Sequence, residues 1–281
     1  MNPLRCLPLL TVCVVCMTGQ ATAFEFVTTH GLGMGETAML SRSSASSLVS
    51  LPAGGIKPGE WLVETGYSRR FEMRDLDRPF VAAAYRRQRL SAAVGLSQFG
   101  RGDLYAEKTL KSTLVYQLDS VSVGVSLSGM MVDIGGGYGG LRAATFGLGA
   151  AYRSGRWFVA IAADNLTSPR LAENSVAMEP VYSLYGELIG KGSFSVTGRA
   201  TLQDCERPQY GLGQWLRLSG ESAFFWGIST APLEFGGGIE LHILDAAISY
   251  ATSVHPVLGF SHTIAVAYRS HKSGEQEEGF D

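Results

Sequence analysis

A repeat of period two constrains this chain more than any other feature. Between residues 60 and 269, stretches of about ten residues alternate large apolar side chains with small or polar ones, and turn-forming residues separate them. Val121, Val123, Val125 and Leu127 share one face of such a stretch, and Ser122, Gly124, Ser126 and Ser128 share the other. Phe146, Leu148, Ala150 and Tyr152 stand against Thr145, Gly147, Gly149 and Ala151. Near the end, Phe260, Ile264, Val266 and Tyr268 stand against Ser261, Thr263, Ala265 and Ala267. A helix repeats its apolar face every 3.6 residues or so, so this pattern specifies strands. About fourteen such stretches can be counted, with connections that alternate between long and short.

Two architectures use strands of this kind: a soluble sandwich that buries the large face, and a closed barrel that shows it to lipid. Only 17% of the residues are charged, against about 25% in an average soluble domain. No apolar run of about 18 residues occurs in the body of the chain, which excludes helical membrane spans there. Tyr67, Tyr85, Tyr116, Tyr152, Trp157, Tyr182, Trp215, Tyr250 and Tyr268 fall near turns, where barrels place rings at headgroup level. With the first strand running outward, the odd-numbered connections lie near 70–78, 100–103, 133–141, 165–179, 204–208, 231–232 and 252–258. Most are longer than the even-numbered ones, near 87–89, 119, 154–155, 190–192, 220–221 and 244–245. Long outer loops and short periplasmic turns are the outer-membrane pattern. The chain therefore reads as all-β: a transmembrane antiparallel up-and-down β-barrel of about 14 strands over residues 60–269, in a bacterial outer membrane.

The flanks differ in character. Arg5, the apolar run from Cys6 to Met17 and the small-x-small site Ala21-Thr22-Ala23 read as a secretory signal over residues 1–23. Val12 and Val15 precede Cys13 and Cys16 where a lipidation motif has a small residue, so no lipid anchor is expected. Without the signal, Cys205 is the one remaining cysteine, which excludes an internal disulfide. Residues 24–59 do not alternate and read as an N-terminal plug or hatch-like segment folded into the lumen near its periplasmic mouth. Within them, residues 36–51 are expected to form a helix with Ala38, Leu40, Ala45, Leu48 and Leu51 on one side, ended by Pro52 and Gly54-Gly55. Residues 270–281 read as a polar tail.

Three places carry a family resemblance. Gly31-Leu32-Gly33-Met34-Gly35, with Ala38 and then Leu51-Pro52-Ala53-Gly54-Gly55, resembles the N-terminal signature of the PorV/PorQ-type outer-membrane proteins, a branch of the FadL-like barrels. Leu51 stands where that signature has Asn, and Gly55 where it has Leu. Ala163-Asp164-Asn165-Leu166 resembles the family's mid-chain strand end, and Gly259-Phe260-Ser261-His262 through Tyr268 its closing strand. The resemblance implies a fourteen-stranded barrel with its N-terminal segment in the lumen, and a binding or shuttle role toward secreted proteins or secretion machinery. Alternatives are a FadL-like passage for hydrophobic small molecules and a soluble β-rich periplasmic protein.

Few residues suggest chemistry. The Gly31–Gly35 run lacks the preceding strand a dinucleotide loop needs. His30, His242, His255, His262 and His271 show no metal-ligand spacing. Ser261 and His262 are neighbours on opposite faces of a strand and cannot pair. A net charge of −2 gives no pull toward nucleic acid. The expectation is a protein that is not an enzyme, with no catalytic residue, cofactor or metal. Candidate contacts lie on the outer loops: Arg70, Arg74 and Arg78 for phosphate groups or a partner, Tyr138 in a Gly-rich run, Pro169, Arg170 and Met178 in the longest connection, and His255 in the last. The expected partners are outer-membrane lipid, together with either exported proteins or hydrophobic small molecules.

Overall fold

The structure is a computed structural model that describes residues 24, 26–42, 44–101, 104–136, 139–172, 175–190, 194–203, 207–220 and 222–270. The signal reading over 1–23, the tail beyond residue 270, Tyr138 and Cys205 lie outside the described residues.

Fourteen strands form one closed antiparallel barrel. They are β1 (Trp61–Arg69), β2 (Asp77–Arg87), β3 (Leu90–Arg101), β4 (Tyr105–Leu118), β5 (Val121–Ile134), β6 (Gly139–Ser154), β7 (Trp157–Asp164), β8 (Val181–Ile189), β9 (Phe194–Gln203), β10 (Gln209–Ser219), β11 (Ser222–Thr230), β12 (Leu233–Ile243), β13 (Ala246–His255) and β14 (Gly259–Ser270). Each strand pairs with its sequence neighbours, and β1 closes on β14 with Trp61 opposite Ser270 and Arg69 opposite His262. In hydrocarbon every unpaired backbone amide costs several kcal/mol, so a sheet can stand there only if it has no edge. The long connections gather at one end of the barrel and the tight turns at the other, as the sequence spacing implies. The two single 3-10 turns Arg70–Glu72 and Arg74–Leu76 lie in the first long connection.

The large apolar face points outward. Val121, Val123, Phe146, Leu148 and Val266 are all 40–50% exposed on the outer wall, so they do not meet in a shared interior. Their alternates face inward and are buried, among them Ser126, Thr145, Ala265 and Thr263. Rings mark both rims: Trp61, Tyr85, Tyr116 and Trp157 at the tight-turn end, and Tyr67, Tyr105, Tyr182 and Tyr210 at the long-loop end. Trp215 departs from the expectation. It sits on the inward register of β10, 2% exposed, and packs with Leu32, Met34 and Phe225. A large ring faces inward there because the lumen holds protein, not water.

That protein is the N-terminal segment. It contains two short helices, α1 (Thr29–Gly33) and α2 (Ala45–Ser50). The expected helix over 36–51 is realised only in its second half. Glu36 takes φ +59, and the main-chain N–H groups of Leu40 and Ser41 donate to Glu187 on the wall, so this stretch bonds to the barrel in place of itself. α2 begins at a capping box in which the Ser44 and Ser47 hydroxyls each accept the other residue's N–H. The segment also runs through the lumen from the long-loop half to the tight-turn end, and is not confined to one mouth. Its apolar side chains form three clusters with inward wall residues: Phe26, Leu48 and Val49 with Phe80; Leu32, Met34 and Met39 with Phe225; Leu40, Leu51 and Ala53 with Ala160 and Ala162.

The outward face supplies a direct test. Val125, 42% exposed near the middle of β5, would become a charge in acyl chains in Val125→Arg. The expected cost is about 2–4 kcal/mol of folding stability in bilayers, read by reversible denaturant unfolding. A neutral result would mean that this face does not meet lipid.

Candidate functional site

Wall and segment are joined by polar contacts that the strand alternation places inside. Glu187 accepts from the N–H groups of Leu40 (2.7 Å) and Ser41 (2.8 Å) and from the Ser41 hydroxyl (2.5 Å). Glu64 accepts from Ser46 N–H at 2.9 Å at the start of α2. Thr37 and Thr197 share a hydroxyl contact at 2.6 Å. Lys111 bridges the Ser50 carbonyl (3.2 Å) and Asp164 (2.8 Å). The Ser122 hydroxyl donates to the Ala53 carbonyl at 2.7 Å, and Arg86 to the Ile56 carbonyl at 2.6 Å. His30 on α1 stands 2.8 Å from Glu240, which also meets His242 at 2.7 Å. Such bonds satisfy the non-helical backbone of the segment and hold it against the wall.

Glycines make the fit possible. The Pro52 carbonyl lies against Gly124 and Gly149, and Met34 lies against Gly213 and Gly227. A side chain at any of these inward positions would collide with main-chain atoms of the segment. A glycine inside a strand often marks such a close approach, so these positions carry a local signal of it.

The wall is weak between β6 and β7. β6 runs up to Gly139 on its β5 side, but its ladder with β7 stops at Leu148 opposite Ala163. Above that point the 165–180 connection takes over: Leu166 N–H donates to the Phe146 carbonyl at 3.1 Å, and the Thr167 hydroxyl to Thr145 at 2.9 Å. On the outer face just below it is an apolar cleft of about 670 Å³. Leu148, Ile161, Leu184 and Leu202 form its sides, Ala150, Ala163 and Ala200 its floor, and Tyr182, Pro208 and Tyr210 its long-loop rim. No charged residue lines it; Ser183 and Thr201 sit on the inward register with their hydroxyls 3.1 Å apart, so the polar side chains on the cleft are the two tyrosines. Behind the floor, Ala160 and Ala162 pack directly on Leu40, Leu51 and Ala53 of the segment. A thin wall of small residues thus separates two apolar environments.

The residues singled out in the sequence fall in several places. Arg70 turns into the barrel mouth and stands 3.8 Å from Glu36, whose other oxygen is 3.4 Å from Arg199. Arg78 is not a loop residue but the second residue of β2, 7% exposed, with its guanidinium over the Phe99 ring at 4.9 Å. Arg74 alone of the three is exposed on the loop. His255 accepts N–H bonds from Val257 and Leu258 at 3.1 Å each and packs edge-on to Phe71, so it shapes the last loop. Met178 N–H donates to the Pro169 carbonyl at 2.9 Å, which folds the longest connection on itself, with Arg170 exposed. Gly31 and Gly33 lie in α1, and Gly35 follows it with φ +64 against the main chain of Ile228. Pro52, Ala53 and Gly54 are buried under the wall at β5 and β6. Arg70 and the glycine motif are thus contacts between segment and wall and Arg78 a contact within the wall, whereas Arg74 and Arg170 face solvent. Among the described residues no group of three or more His, Cys, Asp or Glu could hold a metal ion.

No protein-family model matches the chain, and no curated sequence matches it. Solved structures do. The Ralstonia pickettii toluene transporter TbuX superposes with a TM-score of 0.67 at 12% identity, over 88% of this chain and 99% of that one. The Pseudomonas putida toluene transporter TodX gives 0.66 at 10% identity, over 89% and 99%. A Pseudomonas aeruginosa FadL homologue gives 0.57 at 11% identity, over 88% and 98%. The chain therefore has the fold of FadL-type outer-membrane barrels.

Proposed function

We propose that this protein is an outer-membrane passage for small, uncharged hydrophobic molecules, with the β6–β9 cleft as its side door. The uncharged apolar cleft under the 165–180 connection carries this reading. The axial route is filled by the N-terminal segment, so a solute leaving the lumen has the thin alanine wall as its shortest apolar path. The likeness of the fold to the toluene transporters TbuX and TodX supports the same class of solute. Outward motion of the 165–180 connection, coupled to a small shift of Leu40 and Leu51, would join the cleft to the interior. Long loops face the cell exterior in this reading, so the cleft lies in the outer leaflet.

Filling the cleft tests it. Ala163→Trp with Ala200→Trp places two rings in the floor on the lipid face, where they do not disturb the segment. Uptake of a monoaromatic hydrocarbon by cells dependent on this barrel is expected to fall roughly tenfold, an energy of about 1.4 kcal/mol at the transport barrier. Unchanged uptake with a folded, heat-modifiable barrel would remove the side door. The secretion-shuttle role implied by the N-terminal resemblance predicts something different: exported proteins recovered with the barrel from outer membranes, through contacts near Arg74 and Arg170.

A further inference from the structure

Glu107 projects inward from β4 near the long-loop end and is 8% exposed. Its two oxygens meet two donors, neither of them charged. The Tyr105 hydroxyl donates to Oε1 at 2.7 Å, and the main-chain N of Phe24 lies 3.4 Å from Oε2. No described Lys, Arg or His stands within ion-pair distance of this carboxylate. Lys108 is engaged with Asp133, and Lys111 with Asp164 and Ser50. A carboxylate buried without a cation is costly.

Phe24 supplies a second, independent observation. Its φ is +63, a left-handed angle that a bulky side chain adopts only under strain. That angle exists only because a carbonyl precedes the Phe24 nitrogen. In an amino-terminal residue the constraint is gone. The sequence before it, Ala21-Thr22-Ala23, is the small-x-small pattern that a leader peptidase cuts.

We propose that Glu107 is the receptor for the mature amino terminus created by cleavage between Ala23 and Phe24. Hydrolysis breaks that C–N bond. Water gives its hydroxyl to the Ala23 carbonyl carbon and a proton to the Phe24 nitrogen, which takes a further proton from solvent to become an α-ammonium near neutral pH. The ammonium replaces a neutral amide beside Glu107, so a weak contact becomes a charge-assisted one and the buried carboxylate gains a cation. Processing thereby fixes the start of the segment on β4, while Gly59 and Glu60, through main-chain hydrogen bonds with Arg86, fix its other end at β2. The inference is independent of what passes through the barrel.

The full mature chain, refolded in detergent with Phe24 as its first residue, is treated with a water-soluble carbodiimide and mapped by mass spectrometry. A zero-length amide between Phe24 and Glu107 is expected, beside a Lys111–Asp164 link as internal reference. The reference link without the Phe24 link overturns the proposal. Acylation of the Phe24 amine by an active ester reads the same contact without cross-linking. It should run roughly tenfold faster in folded Glu107→Gln than in the parent barrel. Equal rates in two barrels of the same heat-modifiable mobility overturn the proposal too, as does a natural mature chain that begins elsewhere.

Discussion

Glu187→Ala is expected to unseat the N-terminal segment while the barrel wall stays intact. Glu187 is 1% exposed and gathers three donors from Leu40 and Ser41, the point where the expected helix is drawn out into extended chain. Removing the carboxylate leaves the buried Leu40 N–H and the half-buried N–H and hydroxyl of Ser41 without their acceptor. Hydrogen bonds to charged groups are worth about 1.5–3 kcal/mol each, and breaking a buried charged network costs roughly 3–5 kcal/mol. The loss falls on the seating of the segment, because the β7–β8–β9 ladders use main-chain groups only. Two measurements follow. Limited proteolysis should cut within residues 36–51 in the variant and spare them in the parent. Planar-bilayer recordings should show ion conductance that the parent lacks. Glu187→Gln keeps the shape and one acceptor oxygen and should fall between them. A variant as protease-resistant and as closed as the parent would mean that apolar packing alone holds the segment.

Gly149→Val is expected to destabilise the seated segment for a steric reason. A Cβ at Gly149 would meet the Pro52 carbonyl oxygen at 2.5 Å and its carbon at 2.9 Å. Neither is the end of a flexible side chain, so main chain must move. Overpacking of this kind costs about 1–3 kcal/mol per site. Gly124 faces the same carbonyl from β5, and the two positions share one partner, so Gly124→Val with Gly149→Val should not be additive. Gly186→Ala is the control. Its Cβ has nothing within 4 Å, and a change within about 0.5 kcal/mol is expected. Denaturant unfolding of the refolded barrel separates the two. If Gly149→Val matched the control, the close approach of Pro52 would have no energetic consequence.

The barrel was legible because lipid imposes one rule on every strand. A period of two, read over fourteen stretches, put Val121 to Leu127 and Phe260 to Tyr268 on the outer wall and placed every connection. The lumen imposes no such rule, and the misreadings lie there. Trp215 stands near a turn like the rim rings, but strand parity turns it inward to Met34 and Arg42. Arg70 and Arg78 have the charge of a solvated or ligand-facing rim, but Glu36 and the Phe99 ring, both half-buried, draw them toward the lumen. The helix over 36–51 was reasonable by periodicity and failed at Glu36 to Ser41, where distant wall residues outbid local hydrogen bonds. A local signal for its true start, Ser44 followed by Ser47, was present. No local signal could have revealed the cleft, which arises from the unequal heights of β6 and β7.

The strands, their order and the face each turns outward follow from local sequence, since alternation is a property of neighbouring residues along one strand. Tertiary structure alone decided what fills the barrel and where its wall is thin. Those outcomes depend on Glu187 meeting Leu40, Gly149 meeting Pro52 and Ala162 backing onto Leu51, contacts between residues far apart in the chain that come together only when the ring closes.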